Sequence, residues 1–172
     1  MLSCESFKIK GREIIICVIW EEGIQGIVYS LDGREFLEKQ LSRLISMLNK
    51  RGVSLSLKER HSKYPELVFN VLTGKISNEE GFEELSLEGL TDFEIRVYSW
   101  LVKNVKRGEV ITYGKVAKEL KTSALAIGGA MKRNPYPIVV PCHRVVGKKD
   151  PWLYTPKPEY KKFLLEVEGW TS

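Results

Sequence analysis

The chain's 172 residues suffice for one domain, or one domain with a small partner, and a make-up of 43% apolar and 28% charged residues excludes a disordered chain. No apolar run reaches membrane-spanning length, the longest, Ile14 to Trp20, being the size of a strand. The formal net charge of +5 divides into −2 over residues 1–90 and +7 over residues 91–172, so the second half is the one suited to a polyanion such as nucleic acid, a solubilising Lys/Glu surface being the plainer reading.

Residues 6–31 read as strands. Glu13 to Trp20 is β-branched and strand-length, Glu21-Glu22-Gly23 is a turn, Ile24 to Leu31 resumes the apolar run, and Asp32-Gly33 turns again. From Arg34 to Lys50, Phe36, Leu37, Leu41, Leu44, Ile45 and Leu48 recur at helical spacing, and Gly52 is the stop. Val53, Leu55 and Leu57 alternate with serines as in a short strand. Pro65 opens a helix that runs to Gly74. Residues 75–90 are acidic and contain the expected boundary, giving an N-terminal α/β domain over 1–78, a linker over 79–90 and a C-terminal domain over 91–172.

Thr91-Asp92-Phe93-Glu94 has the form of a capping box, a hydroxyl at the cap and a glutamate three residues on. The helix it starts carries Phe93, Val97, Tyr98, Leu101, Val102 and Val105 on one face, and Gly108 ends it. Thr112 caps a shorter helix, Tyr113 to Leu120, and Ser123 caps another that runs through Lys132 until Asn134-Pro135 stops it. Two short helices with so tight a joint are a helix-turn-helix candidate. The second is almost without bulk: Ala124, Ala126, Gly128, Gly129 and Ala130. Glycine weakens a helix interior, so such a stretch implies a close approach of backbone to another helix or to a DNA groove. Lys132 and Arg133 at its end are candidate phosphate contacts. The fold class expected is α+β, a small N-terminal sheet-and-helix domain followed by a mostly helical C-terminal domain containing the helix-turn-helix.

Three cysteines, at 4, 17 and 142, are an odd number without the pattern of a disulfide scaffold, and suit a reducing cytoplasm. Met1 to Glu5 lacks the basic and apolar regions of a secretory signal. Cys4, Cys17 and His61 are a rival zinc set, but their spacing fits no motif, and no Cys-x-x-Cys or His-x-x-x-His occurs, so neither metal nor cofactor is expected. No Gly-x-Ser-x-Gly elbow is present either.

Pro135 to Gly147 stands apart. Prolines 135, 137 and 141 fix the backbone on both sides of an apolar strand, and Cys142, His143 and Arg144 follow at once. A thiol is nucleophilic only as its thiolate, which a neighbouring base or cation favours. His143 and Arg144 are the candidates for those two parts, with His143 acting through a water because consecutive side chains diverge.

Ile127-Gly128-Gly129-Ala130-Met131, Asn134-Pro135 and Pro141-Cys142-His143-Arg144-Val145-Val146, with Leu164-Leu165 and Glu168-Gly169 near the end, resemble the signature of the O6-alkylguanine-DNA alkyltransferases over residues 91–169. The first half is similar to that family's variable N-terminal domain only in layout. The resemblance implies DNA repair in which a cysteine takes the alkyl group from O6 of guanine once, without turnover. It makes Cys142 the acceptor, His143 the base that takes the thiol proton through water, and Glu168 the carboxylate that holds the His143 ring, Glu166 being near enough in sequence to compete. It makes Tyr113 a donor to guanine N3 and Asn134 the tie between the recognition helix and the active-site loop. Main-chain groups of Cys142 and Val145, with the loop at Tyr154 and Thr155, would hold the flipped guanine, and Ala126, Lys132 and Arg133 would meet DNA in the minor groove.

Two positions depart from the family pattern. Leu125 stands where an arginine usually fills the gap left by the flipped base, and Tyr154-Thr155-Pro156-Lys157-Pro158 replaces a Tyr-Ser-Gly-Gly loop; its prolines stiffen the loop and lack N–H donors. The expected partner is double-stranded DNA containing O6-alkylguanine, with no membrane, and the expected state is a cytoplasmic monomer. The alternatives are a non-catalytic alkylated-base sensor of the same fold, which has no need of Cys142, His143 and Glu168, and a helix-turn-helix regulator, which would carry Arg, Asn or Gln over Ala124 to Ala130.

Overall fold

In a computed structural model that describes residues 1–153 and 157–171, strands β1 (Leu2–Ile9), β2 (Arg12–Trp20) and β3 (Ile24–Ser30) form an antiparallel meander. The turn between β1 and β2 is Lys10-Gly11, both at positive φ, the geometry that suits the twist of a two-residue hairpin. β2 reads as an unbroken apolar run because it is buried on both faces. Ile15, Cys17 and Ile19 pack with Leu37, Leu44 and Leu48 of α1 (Arg34–Lys50), while Ile14, Ile16 and Val18 face the main core. A Cβ on Gly26 would overlap Leu44, so this glycine lets α1 sit close on β3.

α2 (Tyr64–Thr73) covers the other face of the sheet, and the turn of helix α3 (Asn78–Phe82) follows behind a Ser77/Glu80 capping box. The mostly helical second half comprises α4 (Asp92–Asn104), β4 (Ile111–Thr112), α5 (Tyr113–Leu120), α6 (Ala124–Lys132), β5 (Val145–Val146) and α7 (Pro158–Val167). Thr91/Glu94 is the expected capping box, and Thr112 and Ser123 cap α5 and α6 as read from sequence. Both halves share one apolar core, in which Ile14, Ile16 and Val18 join Val97, Tyr98 and Val139.

The structure differs from the sequence reading at several points of the fold. Cys4 and Cys17 are directly opposed on β1 and β2 and form a disulfide. They are therefore not reduced thiols, and the zinc set that would have used them is gone. Val53 to Leu57 is not a strand, because the chain meets β1 only at an isolated bridge between Leu2 and Glu59. α4 stops at Asn104, ahead of Gly108, since Val105 turns extended and gives its carbonyl to Arg144. Ile138 to Val140 is a turn rather than a strand: Ile138 takes a φ of +76°, rare for a β-branched residue. Asn78 Nδ2 holds this turn by donating to the carbonyls of Ile138 and Val139.

Candidate active site

β4 and β5 pair in parallel, Ile111 beside Val145 and Thr112 beside Val146. β4 runs directly into α5, whose first residue is Tyr113, and β5 directly follows a single 3-10 turn made by Cys142, His143 and Arg144. Two residues of sheet thus place the tyrosine next to the Cys-His-Arg turn. Asn134 secures the other side: its Oδ1 accepts from the Tyr136 amide at 2.9 Å and its Nδ2 donates to the Val140 carbonyl at 3.2 Å, closing the loop between α6 and Cys142. Cys142 is the free cysteine, partly exposed, and it lines a cavity of about 480 Å³ together with Tyr113, Met131, Asn134, His143 and Lys161.

His143 and Glu168 are both buried, with Nε2 of the ring 2.9 Å from Glu168 Oε1. The contact is close but lies off the N–H axis, and the other ring nitrogen, Nδ1, has no hydrogen-bond partner among the described residues. Burial lowers the His143 pKa from its ordinary value, against the pull of Glu168, and so favours the neutral ring. Burial alone would raise Glu168, but His143 and Arg144 outweigh it and bring the carboxyl down to about 2. Glu166, the rival carboxylate in sequence, is exposed.

Arg144 does not serve the thiol as expected. Its guanidinium is fully buried and grips Glu168 through Nε–Oε1 at 2.9 Å and Nη2–Oε2 at 2.6 Å, with further bonds to the Val105 carbonyl and to Asn78 Oδ1. The cation beside the thiol is Lys161 on α7, which sequence reasoning missed. Its Nζ donates to the Val145 carbonyl at 2.5 Å and lies 3.5 Å from the Tyr113 hydroxyl. Burial lowers Lys161 to about 8, partly offset by the charge of Cys142. Burial raises the Cys142 thiol, with the Asn134 amide and then Lys161 opposing the rise. A usable signal existed: Lys161, Leu164, Leu165 and Glu168 share one helical stripe, and a lysine and a glutamate on an apolar face need a buried purpose.

Tyr113 donates to the Leu153 carbonyl at 3.0 Å. Both main-chain groups of Val145 have partners, the N–H on Cys142 and the carbonyl on Lys161. Tyr154 and Thr155 lie outside the described residues. On α6, Leu125 is 71% exposed and Ala126 half-buried, so this end faces solvent. The small residues farther along pack inward instead: Ala130 is fully buried and its carbonyl accepts from the Tyr98 hydroxyl. A Cβ on Gly129 would meet the Arg133 guanidinium, which folds back to bond Glu94 at 3.0 Å. Lys132 is exposed and Arg133 is only partly available to a phosphate.

Comparison with known proteins places this geometry in context. Residues 1–87 match the family model for the N-terminal part of methylated DNA-protein cysteine methyltransferases, and residues 92–170 match that for the DNA-binding domain of 6-O-methylguanine DNA methyltransferases. The chain is 76% identical to the methylated-DNA--protein-cysteine methyltransferase of Pyrococcus horikoshii and 72% identical to that of Pyrococcus sp. strain NA2, over the whole of each chain. It superposes with a TM-score of 0.95 on the crystal structure of O6-methylguanine-DNA methyltransferase from the hyperthermophilic archaeon Pyrococcus kodakaraensis KOD1, 55% identical, covering 98% of this chain and 99% of that one.

Proposed function

Because the chain belongs to the methylated-DNA–protein-cysteine methyltransferase family, we propose that it repairs duplex DNA by moving an alkyl group from O6 of guanine onto Cys142, once per molecule. The observation that carries the reading is the company the site keeps: a free thiol and a histidine on one cavity, the histidine's Nδ1 without a partner among the described residues and its Nε2 2.9 Å from a buried carboxylate.

The thiol proton passes through a water to His143 Nδ1, and Glu168 stabilises the imidazolium that forms. The Cys142 sulfur attacks the alkyl carbon in line, the S–C bond forms as the C–O6 bond breaks, and the electron pair leaves with guanine. Tyr113 exchanges its Leu153 carbonyl for guanine N3 and makes the departing base less anionic. Lys161 supplies positive charge beside the thiolate. The thioether product has no leaving group suited to release, so the protein is consumed.

The target base lies in a duplex and leaves the stack to reach Cys142. Leu125, exposed at the start of α6, fills the gap as apolar wedges do in minor-groove proteins. Ala126 and Lys132 flank the groove, and the basic second half supplies attraction to phosphate. The protein works as a single chain inside the cell. The Cys4–Cys17 disulfide is compatible with that location, since intracellular proteins of hyperthermophilic archaea, the source of the KOD1 relative, are rich in disulfides. The test is to incubate the protein with a duplex containing O6-methylguanine and weigh it: a gain of one methyl group, mapped to Cys142, supports the reading. Binding to the lesion without a change in mass selects the sensor instead.

A further inference from the structure

The cavity at Cys142 is not built by the DNA-binding half alone. Ile27, Val28 and Tyr29 of β3 form part of its wall, and so does a stripe of α1. That stripe comprises Phe36, Gln40, Arg43 and Met47, spaced four, three and four residues apart and thus on one helical face. The seam that holds α1 to the sheet is Leu37, Leu44 and Leu48, all buried, of which Leu44 also reaches the cavity. Phe36, Gln40 and Met47 are only partly buried and Arg43 is exposed, so the stripe overlooks open space in front of the thiol.

The size of that space exceeds what a methyl group requires. At about 480 Å³ it falls within the ~300–1,000 Å³ of pockets that take drug-sized ligands, room for a base together with a substituent larger than methyl. Its α1 and β3 side is largely apolar, with Val28, Leu44 and Met47 contributing, and among the described residues no aspartate or glutamate lines it. Apolar walls with a few polar groups are the make-up of a pocket for an uncharged organic group.

Resting on the alkyl-transfer reading, we propose that α1 of the N-terminal half forms a specificity wall of the alkyl pocket, and that Met47 and Gln40 set which large, apolar O6 substituents reach Cys142. A methyl group, seated at the thiol, does not extend to this wall, whereas an aromatic substituent does. The wall then acts on bulky adducts and leaves methyl transfer alone.

Transfer rates from two duplexes, one bearing O6-methylguanine and one O6-benzylguanine, test this in Met47→Trp. Filling the cavity lowers benzyl transfer by about tenfold or more while methyl transfer stays within about twofold of the unsubstituted protein. Met47→Ala, which only widens the space, keeps benzyl transfer at least as fast. Should Met47→Trp not fold, as judged by thermal melting, Gln40→Trp at the half-exposed part of the stripe makes the same measurement. Equal losses for both substrates, or no loss for either, overturn the specificity wall. An unsubstituted protein that transfers neither group overturns the alkyl-transfer reading itself, so the two failures are distinguishable.

Discussion

At the residue scale the site is a set of matched protonation states. Burial favours the neutral form of His143, and the Arg144 guanidinium, bonded to both carboxylate oxygens, keeps Glu168 ionised. Cys142→Ser keeps nearly the same side-chain size but removes the ionisable thiol, so alkyl transfer is lost while gel shifts show DNA binding retained; methylation of the serine variant at any other residue would contradict the assignment. Glu168 also governs acid stability. Its pKa falls from 4.5 to about 2 on folding, so its contribution is complete above the unfolded value and is lost as pH drops through the window from 4.5 to about 2. Glu168→Gln leaves the buried Arg144 guanidinium without its counter-charge, a loss of about 3–5 kcal/mol. Chemical denaturation as a function of pH then shows a lower plateau near neutrality and a flatter acid limb than the unsubstituted protein.

Leu125 is the residue-scale departure with a measurable consequence. Leucine can wedge into a vacated stack but cannot hydrogen-bond the orphaned base or attract phosphate. Leu125→Arg therefore speeds transfer from duplex DNA, by an amount up to the ~1–3 kcal/mol that part of an unstacking cost represents. Free O6-benzylguanine, which needs no flipping, reacts at nearly the same rate in both proteins. Equal acceleration of both substrates would make Leu125 a packing residue.

At the scale of elements, what could be read in the sequence was what local chemistry decides. The span of α1 follows from its apolar period, and α5 and α6 from their caps. What escaped was decided by distant partners. Val105 leaves α4 to meet Arg144, and Ile138 takes positive φ where Asn78 grips its turn. The disulfide lay between these cases: once Lys10-Gly11 is taken as a two-residue hairpin turn, the register sets Cys4 opposite Cys17. In the site, Cys142 and His143 stood out in the sequence as a nucleophile beside a base, whereas Glu168 was named only through the family resemblance, with Glu166 as its rival. Lys161 was hidden in an ordinary helix, and the α1 wall was hidden because its residues carry no chemistry of their own.

The joint between α1, α4 and α6 rests on Glu94. It is fully buried, caps α4 and bonds Arg51 at 2.7 and 2.8 Å and Arg133 at 3.0 Å. Burial would raise its pKa, yet Arg51, the Thr91 amide and Arg133 bring it to about 2. Glu94→Gln destabilises the protein by about 2–4 kcal/mol, less than a wholly enclosed pair would lose because Arg51 and Arg133 reach solvent. Thermal melting reads this directly, and an unchanged melting temperature would reduce the cluster to a surface feature.

At the scale of the whole molecule, charge and core divide the labour differently. Charge separates the halves, at −2 and +7, so DNA affinity is expected to reside in residues 91–172, to fall steeply with salt and to vary little among unrelated unmodified duplexes, which affinities measured on several duplexes at two salt concentrations check. Packing unites them. The Ile27 amide donates to the Pro135 carbonyl at 2.8 Å, the Leu31 amide to the Tyr160 hydroxyl at 2.9 Å, and Arg144 to Asn78 at 3.1 Å. Lys157 pairs with Asp32 at 3.0 Å where α7 begins. The apolar core runs through both halves, so a fragment of residues 91–172 would expose Val97, Tyr98, Ile127 and Val139 to water. Marginal stability of about 5–15 kcal/mol in an ordinary domain does not survive that much lost burial. The fragment made alone is therefore expected to lack a cooperative melting transition by circular dichroism and to transfer no methyl group, even though it holds Cys142, His143 and Glu168. A fragment that melts cooperatively and repairs at the rate of the full chain would make the first half an appendage; failure of both, with recovery when residues 1–90 are supplied in trans, makes it part of the site's foundation.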